Sequence, residues 1–221
     1  MNQISHIGKP APSLILSDWV QGDPTNLDQL LGQVVLIEIF QVNCPGCFLY
    51  SLPQAIDLYQ RYKNKGLAAI GIATAFEDFD LNTLENLKLL TEENKIIGET
   101  KRTLQEHDRL IDGRLSYHIP FPVAMDKVTR HSQETTEDEI SLFISQHIPN
   151  FIDHNETEQI YIKKKVVDHL NSRFYTAETF KQYNLQGTPS HIVIDKKGIV
   201  KACEFGHFTE LEWLLTSLLT E

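Results

Sequence analysis

Two cysteines stand three positions apart in Cys44-Pro45-Gly46-Cys47, between an apolar run and a stretch with helical spacing. Cysteines so placed at the start of a helix lie about one turn apart on one face, within the roughly 4.4–6.8 Å between Cα atoms that a disulfide allows. Such a pair closes and reopens with little backbone movement, which is the requirement of dithiol redox chemistry. Cys44, at the mouth of the helix, would face unpaired backbone N–H groups and the positive end of the macrodipole. Both favour thiolate over thiol, so Cys44 is the expected attacking sulfur. Cys47, one turn deeper, is then the resolving sulfur. Pro45 suits the first helical position, where its missing N–H would go unpaired anyway.

The elements around the pair follow from periodicity. Val34–Phe40 (VVLIEIF) is apolar except for Glu38 and reads as a strand buried on both faces, the habit of parallel sheets. After Cys47, the residues Leu49, Leu52, Ile56 and Tyr59 recur at helical spacing, and Leu67–Ala73 (LAAIGIA) follows the Gly66 stop signal as a second buried strand. The unit is βαβ, with a right-handed crossover expected. Residues 81–110 are mostly helical in pattern, with Leu84, Leu87 and Leu90 in one segment and 103–110 in another. Residues 121–126 read as a short strand, 176–183 as a helix capped by Thr176, and 190–194 and 199–203 as strands joined by a Gly-containing loop. A final helix over 209–219 would bury Leu211, Leu214, Leu215 and Leu218. The class is therefore α/β.

Composition narrows the partners. With 221 residues, 41% hydrophobic and 23% charged, the chain reads as an ordinary globular protein of one domain over 1–221. A formal net charge of -10 argues against a nucleic-acid surface or an anionic membrane as partner. Residues 1–5 carry no basic n-region or apolar h-region, and no stretch is long enough to span a bilayer, so the cytoplasm is the expected compartment. In that compartment a CxxC is catalytic or metal-binding rather than a structural staple, and three cysteines make no disulfide scaffold.

The chain resembles the thioredoxin-like superfamily, and within it the TlpA/AhpC-TSA or redoxin branch. The matching pieces are Ile7-Gly8-Lys9-Pro10-Ala11-Pro12, the strand with CPGC, Phe121-Pro122-Val123, and Gln186-Gly187-Thr188-Pro189-Ser190, together spread over about two-thirds of the chain. The resemblance implies a mixed central sheet flanked by helices, preceded by an N-terminal extension over about 1–33. It also implies thiol-disulfide exchange with a disulfide-containing protein or small thiol substrate and a thiol reductant, with no cofactor and no metal. Thioredoxins carry an acid six positions before the first active-site cysteine, where Glu38 stands, which makes Glu38 the buried proton acceptor for the resolving thiol. Physical chemistry agrees, since a carboxyl within an apolar strand is expected to hold its proton to higher pH and to exchange it near neutrality. By the same resemblance Pro189 is a cis-proline facing the dithiol, and Thr188, Pro189, Pro45 and Gly46 line the substrate. The backbone of Thr188 would there pair with an extended segment beside Cys44.

The chain also departs from that pattern. The helical proline, five residues after the second cysteine in thioredoxins, is six after it here, at Pro53, so an extra residue or bulge is expected in that turn. Asn43 replaces the usual Trp before the first cysteine, and Leu67–Ala73 offers no lysine near the buried acid, so Glu38 could alternatively pair with a basic group at the strand's edge. Residues 127–175 exceed an ordinary loop and form an insertion. Within it Thr136 and Glu139 fit a capping box ahead of one amphipathic helix with Ile140, Phe143, Ile144 and His147. Glu134, Glu137, Asp138, Glu139, Asp153, Glu156 and Glu158 precede a basic run, Lys163-Lys164-Lys165, and Ile140, Phe143, Phe151 and Ile160 would pack the insertion on the core.

Other chemistries have fewer residues behind them. A structural zinc needs four ligands, and neither Cys203 nor the nine histidines form a second half-site. Cys203 reads as a buried core thiol, and His107, His118, His191 and His207 as satisfied surface or core histidines. A peroxiredoxin would carry Pro and Thr seven and three positions before its reactive cysteine, where this chain has Ile37 and Gln41. A non-catalytic redox-sensing or metal-binding adaptor, docking through the insertion, is the reading from a different class.

Overall fold

In the computed structural model, which describes residues 6–131 and 135–221, Val34–Phe40 is buried from end to end at the middle of a sheet. Residues 1–5, read above for a leader, and Glu134 of the acidic series lie outside the described residues. In chain order the elements are β1 (Leu16–Gln21), β2 (Val34–Phe40), α1 (Leu52–Tyr62), β3 (Leu67–Ala73), α2 (Leu84–Glu93) and α3 (Gly98–Glu106). A small hairpin, β4 (Leu110–Ile111) and β5 (Arg114–Leu115), leads to β6 (Val123–Asp126) and β7 (Val128–Arg130). Then come α4 (Glu137–His147), α5 (Glu156–Ser172), β8 (Tyr175–Ala177), α6 (Glu178–Gln182), β9 (Ser190–Ile194), β10 (Val200–Phe205) and α7 (Leu211–Thr220).

Six strands form one mixed sheet in the order β1-β6-β3-β2-β9-β10. β2 runs parallel to β3 and antiparallel to β9, β3 is parallel to β6, and β1 and β10 close the edges antiparallel. Strand alternation sorts the core into two layers. Val34, Leu36 and Phe40 pack under α1, α2, α3 and α7 through Leu52, Leu58, Leu87, Leu104, Leu211 and Leu215. Val35, Ile37 and Ile39 meet the other layer, built by α6 and the N-terminal extension through Phe180, Tyr183, Leu14, Trp19 and Leu27.

Several boundaries differ from the sequence reading, each because a tertiary partner decides. The extension, which the sequence bounds only as about 1–33, contributes a strand at Leu16–Gln21, its register fixed by β6 (Leu16↔Asp126, Gln21↔Val123). Ser13 and Ile15 instead bond the side chains of Gln182 and Thr179 on α6. The second helix of the 81–110 segment starts earlier, at Gly98, and ends at Glu106. Leu110 belongs to the small hairpin, whose Asp112-Gly113 turn has positive φ at both residues, the habit of two-residue hairpin loops. Thr176 lies in β8 and does not cap α6, which begins after Ala177.

The insertion carries two long helices rather than one. The Thr136–Glu139 capping box opens α4 as expected, and a second box, Asn155 with Glu158, opens α5. Only Val166 of α5 is buried, so its apolar periodicity is too faint to read. The two helices pack mainly on each other, through Ile140, Ile144, Val166, Phe143 and Leu170, while Ile160 points outward at 64% exposure instead of anchoring the insertion. β7 and β8 pair at its base.

Phe121 shows how tightly the helical layer is filled. It is buried, meets Tyr59 edge-on at 5.6 Å, and lies against Gly71 of β3, where an added Cβ would come within 3.3 Å of its ring. Phe121→Ala is expected to cost about 3–5 kcal/mol, read as a lower urea midpoint with an unchanged m value.

Candidate active site

β2 ends at Phe40, and the chain turns through Gln41, Val42 and Asn43 before Cys44. Pro45 and Gly46 are already helical, so Pro45 occupies a first-turn position whose N–H needs no partner. A π turn, Cys47–Ser51, then runs into α1, which absorbs the extra residue before Pro53. Cys44 and Cys47 are joined as a disulfide with Cα atoms 5.4 Å apart. The two sulfurs differ in access: Cys44 is partly exposed, whereas Cys47 is fully buried in the helical layer. The Cys47 N–H also points at Cys44 Sγ, 3.3 Å away. A backbone donor at that place stabilises negative charge on the outer sulfur when the pair is open.

The loop before β9 comes to the same place because β9 runs antiparallel to β2, with Ser190 opposite Ile39. The Thr188–Pro189 peptide is cis, and Pro189 Cδ lies 3.9 Å from where a Cβ on Gly46 would sit. The proline ring therefore packs against the segment between the two cysteines. The loop is held on each side. Thr188 Oγ1 donates to Gln41 Oε1 at 3.1 Å, Ser190 Oγ donates to the Gly187 carbonyl at 2.7 Å, and the Gly206 N–H donates to the Pro189 carbonyl at 2.8 Å. Phe205, 59% exposed, lies so close over Gly187 that any side chain there would collide with its ring.

The segment before Cys44 is clamped by amides that periodicity does not single out. Gln41 Nε2 donates to the Glu77 carbonyl at 3.2 Å, and the Asn43 N–H donates to Asn82 Oδ1 at 2.8 Å. Asn43 Nδ2 donates to Asp78 Oδ2 at 2.9 Å, and its Oδ1 accepts the Glu99 N–H at 2.8 Å. Gly98 leaves room for that amide, since a Cβ there would overlap the Asn43 oxygen. Lys165 of the insertion pairs with the other oxygen of Asp78 at 3.1 Å. The only sequence signal for this clamp is polar residues next to a buried strand, where apolar ones would be ordinary.

Glu38 faces the layer that holds Cys47, since it alternates with Leu36 and Phe40. It is paired with a basic group, as the alternative reading allowed, although not at the strand's edge. His191, its direct cross-strand partner in β9, brings Nδ1 to 2.7 Å from Glu38 Oε2, with both side chains buried (0% and 1% exposed). The two groups stand at ion-pair distance without a well-aligned hydrogen bond, and His191 Nε2 lies 3.0 Å from the Gly206 carbonyl. Burial pulls the imidazole toward the neutral form, but the adjoining Glu38 charge, aided by the Gly206 carbonyl, outweighs it, so the His191 pKa is raised. Burial also raises the pKa of Tyr117, and the Glu38 charge adds to it; its hydroxyl donates to the Phe48 carbonyl at 2.7 Å in the turn after Cys47.

Cys44, Cys47, Pro45, Gly46, Thr188 and Pro189 thus meet at one end of the sheet, and Glu38 stands two positions before the end of β2 on the face toward the helical layer. His191 belongs to this set rather than with the bystander histidines. Cys203 is half-buried on β10 rather than in the core, with burial pushing its thiol up to about 11. Among the described residues no group of three or more His, Cys, Asp or Glu is gathered as metal ligands, and no helix is long and apolar enough to cross a membrane.

No protein-family model matches the chain. It is similar to Protein FixW of Rhizobium leguminosarum, 26% identical over 128 residues, which cover 55% of this chain and 57% of that protein. Matches to curated relatives therefore span little more than half their length at most. Among solved structures it is similar to a thiol-disulfide isomerase from Corynebacterium glutamicum, with 25% identity, a TM-score of 0.59 and 97% of each chain covered. A thioredoxin-like superfamily protein has the same fold at 23% identity, with a TM-score of 0.56 over 96% of this chain and 97% of the other. A likeness that runs through nearly the whole of each chain, joined to a CxxC disulfide packed against a cis-proline, gives this protein a thioredoxin-like fold.

Proposed function

We propose that the protein is a thiol-disulfide oxidoreductase that exchanges electrons between the Cys44–Cys47 pair and a disulfide-containing protein or small thiol substrate, with a thiol reductant restoring the dithiol. The observation that carries this reading is one partly exposed and one buried sulfur, closed into a disulfide against Pro189. In the reducing direction the Cys44 thiolate attacks the substrate disulfide and releases one substrate thiolate. Cys47 loses its proton to Glu38 and attacks Cys44 Sγ. The Cys44–substrate bond breaks, the second substrate sulfur leaves as thiolate, and the pair is left oxidised. Thr188, Pro189, Pro45 and Gly46 line the cleft in which the substrate segment lies, and the Thr188 backbone is the proposed pairing edge.

Gln41 weighs against the peroxidase alternative. It stands where a peroxiredoxin has its threonine, and its amide is engaged with Thr188 and the Glu77 carbonyl. The hydroxyl beside Gln41, that of Thr188, is donated to the Gln41 amide oxygen instead of being offered to a peroxide.

Cys47→Ser should accumulate a covalent complex with its partner through Cys44, seen as a thiol-sensitive band on a non-reducing gel, and Cys44→Ser should form none. The wild-type protein should reduce insulin disulfides faster than it consumes hydrogen peroxide; peroxide turnover without insulin reduction would overturn the assignment. Glu38→Gln should slow the resolving step on the order of 10²-fold at neutral pH while leaving the Cys44 attack near its wild-type rate, a split that stopped-flow measurement of the two thiol releases resolves.

A further inference from the structure

The oxidoreductase reading gives Glu38 a task that its surroundings should oppose. A carboxyl sealed in an apolar layer favours its proton-bearing form, and a base that already holds a proton cannot take one from Cys47. Something must keep that carboxylate ionised, and Leu67–Ala73 on the neighbouring strand offers no cation.

The structure supplies one from the opposite neighbour. β9 sets His191 directly across from Glu38, on the face that packs under α1 and α7, with Nδ1 at 2.7 Å from the carboxylate. The Gly206 carbonyl at 3.0 Å from Nε2 completes the arrangement, because a carboxylate against one ring nitrogen and a carbonyl oxygen at the other both favour the doubly protonated cation. The ring is fixed on its remaining side by Phe208, with centroids 6.1 Å apart. The other ionisable groups around the pair are the Cys47 thiol on the helix above, Tyr117 ahead of β6, and Glu204, which β10 places opposite His191 at the exposed edge. None of these can carry positive charge, which leaves His191.

We propose that His191 is the positioning residue of the exchange reaction, an imidazolium that holds Glu38 as a carboxylate in its buried slot so that it can receive the Cys47 proton. The inference rests on the oxidoreductase reading. The Cys47 proton passes to Glu38, the Cys47 thiolate displaces the substrate sulfur from Cys44, and that sulfur takes a proton from water. The pair returns its extra proton to solvent before the next turnover. His191 touches neither substrate nor sulfur and acts through the acid alone.

The test uses the reduced full chain and dithiobis(nitrobenzoate), whose coloured thiolate is released once by Cys44 attack and once by Cys47 resolution, followed by stopped flow across the pH range. His191→Gln keeps a hydrogen-bonding group and loses the charge. Its second release is expected to reach half-maximal rate about one pH unit higher than in the wild type, corresponding to roughly tenfold tighter proton binding at the acid, with the first release unchanged. In the Glu38→Gln background the same substitution should have no further effect. An unmoved midpoint with only a lower melting temperature would reduce His191 to a packing role and overturn the proposal. Absence of the first release would overturn the oxidoreductase reading itself, and this inference with it. If His191→Gln fails to fold, nitrogen NMR of the wild-type imidazole decides. A doubly protonated ring at pH 7 that becomes neutral in Glu38→Gln supports the pair, and a neutral ring in the wild type overturns it.

Discussion

The antiparallel register between β2 and β9 is the constraint on which the site depends. Both strands are buried throughout, and a slip of one residue would turn Ile37, Ile39, Ile192 and Ile194 into the wrong layer. With that register fixed, Ile39 lies opposite Ser190, so the chain leaving β2 for Cys44 and the chain entering β9 from Pro189 emerge at the same end of the sheet. The hydrophobic sorting of the core thus places the dithiol and the proline together. The same register places Glu38 opposite His191 one pair further in, so the ionic pair is a consequence of the strand pairing that forms the cleft.

That pair is the feature most at odds with its surroundings. Removing two charges from water is expensive, and their mutual attraction compensates only where contact is close and the remaining polar atoms find partners. Here the contact is 2.7 Å and the second imidazole nitrogen has the Gly206 carbonyl, while the carboxylate oxygens lack aligned donors. A core selected for stability alone would put two apolar side chains across that register position. Polar groups placed against such a cost are the kind found at sites of chemistry, which is the ground on which the exchange role of the pair is proposed.

Much of this was legible in the sequence, for reasons that particular residues make clear. The CPGC spacing, the run around Glu38 and the cis-proline setting are local or near-local signals, and the displaced Pro53 announces a bulge that the structure resolves as a π turn. The identity of the Glu38 partner was not readable, because it depends on which strands pair and in what register, and His191 meets Glu38 only through that pairing. The Gln41 and Asn43 clamp was hidden for the same reason, since its partners lie on the loop after β3 and at the start of α3. In the insertion, α4 was visible through its capping box and apolar face, whereas α5 buries a single residue and offers almost no periodicity.

The insertion is joined to this site by more than covalent connection. Lys165 on α5 and the Asn43 amide bind the two oxygens of one carboxylate, Asp78, whose backbone sits in the left-handed region (φ 45) that Asp adopts more readily than most residues. The loop around it is stacked where the insertion rejoins the core, Phe79 on Tyr175 of β8 at 4.2 Å and Phe76 on Phe180 of α6 at 4.7 Å. A partly exposed lysine pair of this kind is worth only about 0–1 kcal/mol, too little to explain its arrangement as a source of stability. Its effect is positional: the carboxylate that fixes Asn43, and through Asn43 the backbone entering Cys44, is oriented by α5. The segment that departs furthest from the resemblance therefore helps to set where Cys44 stands.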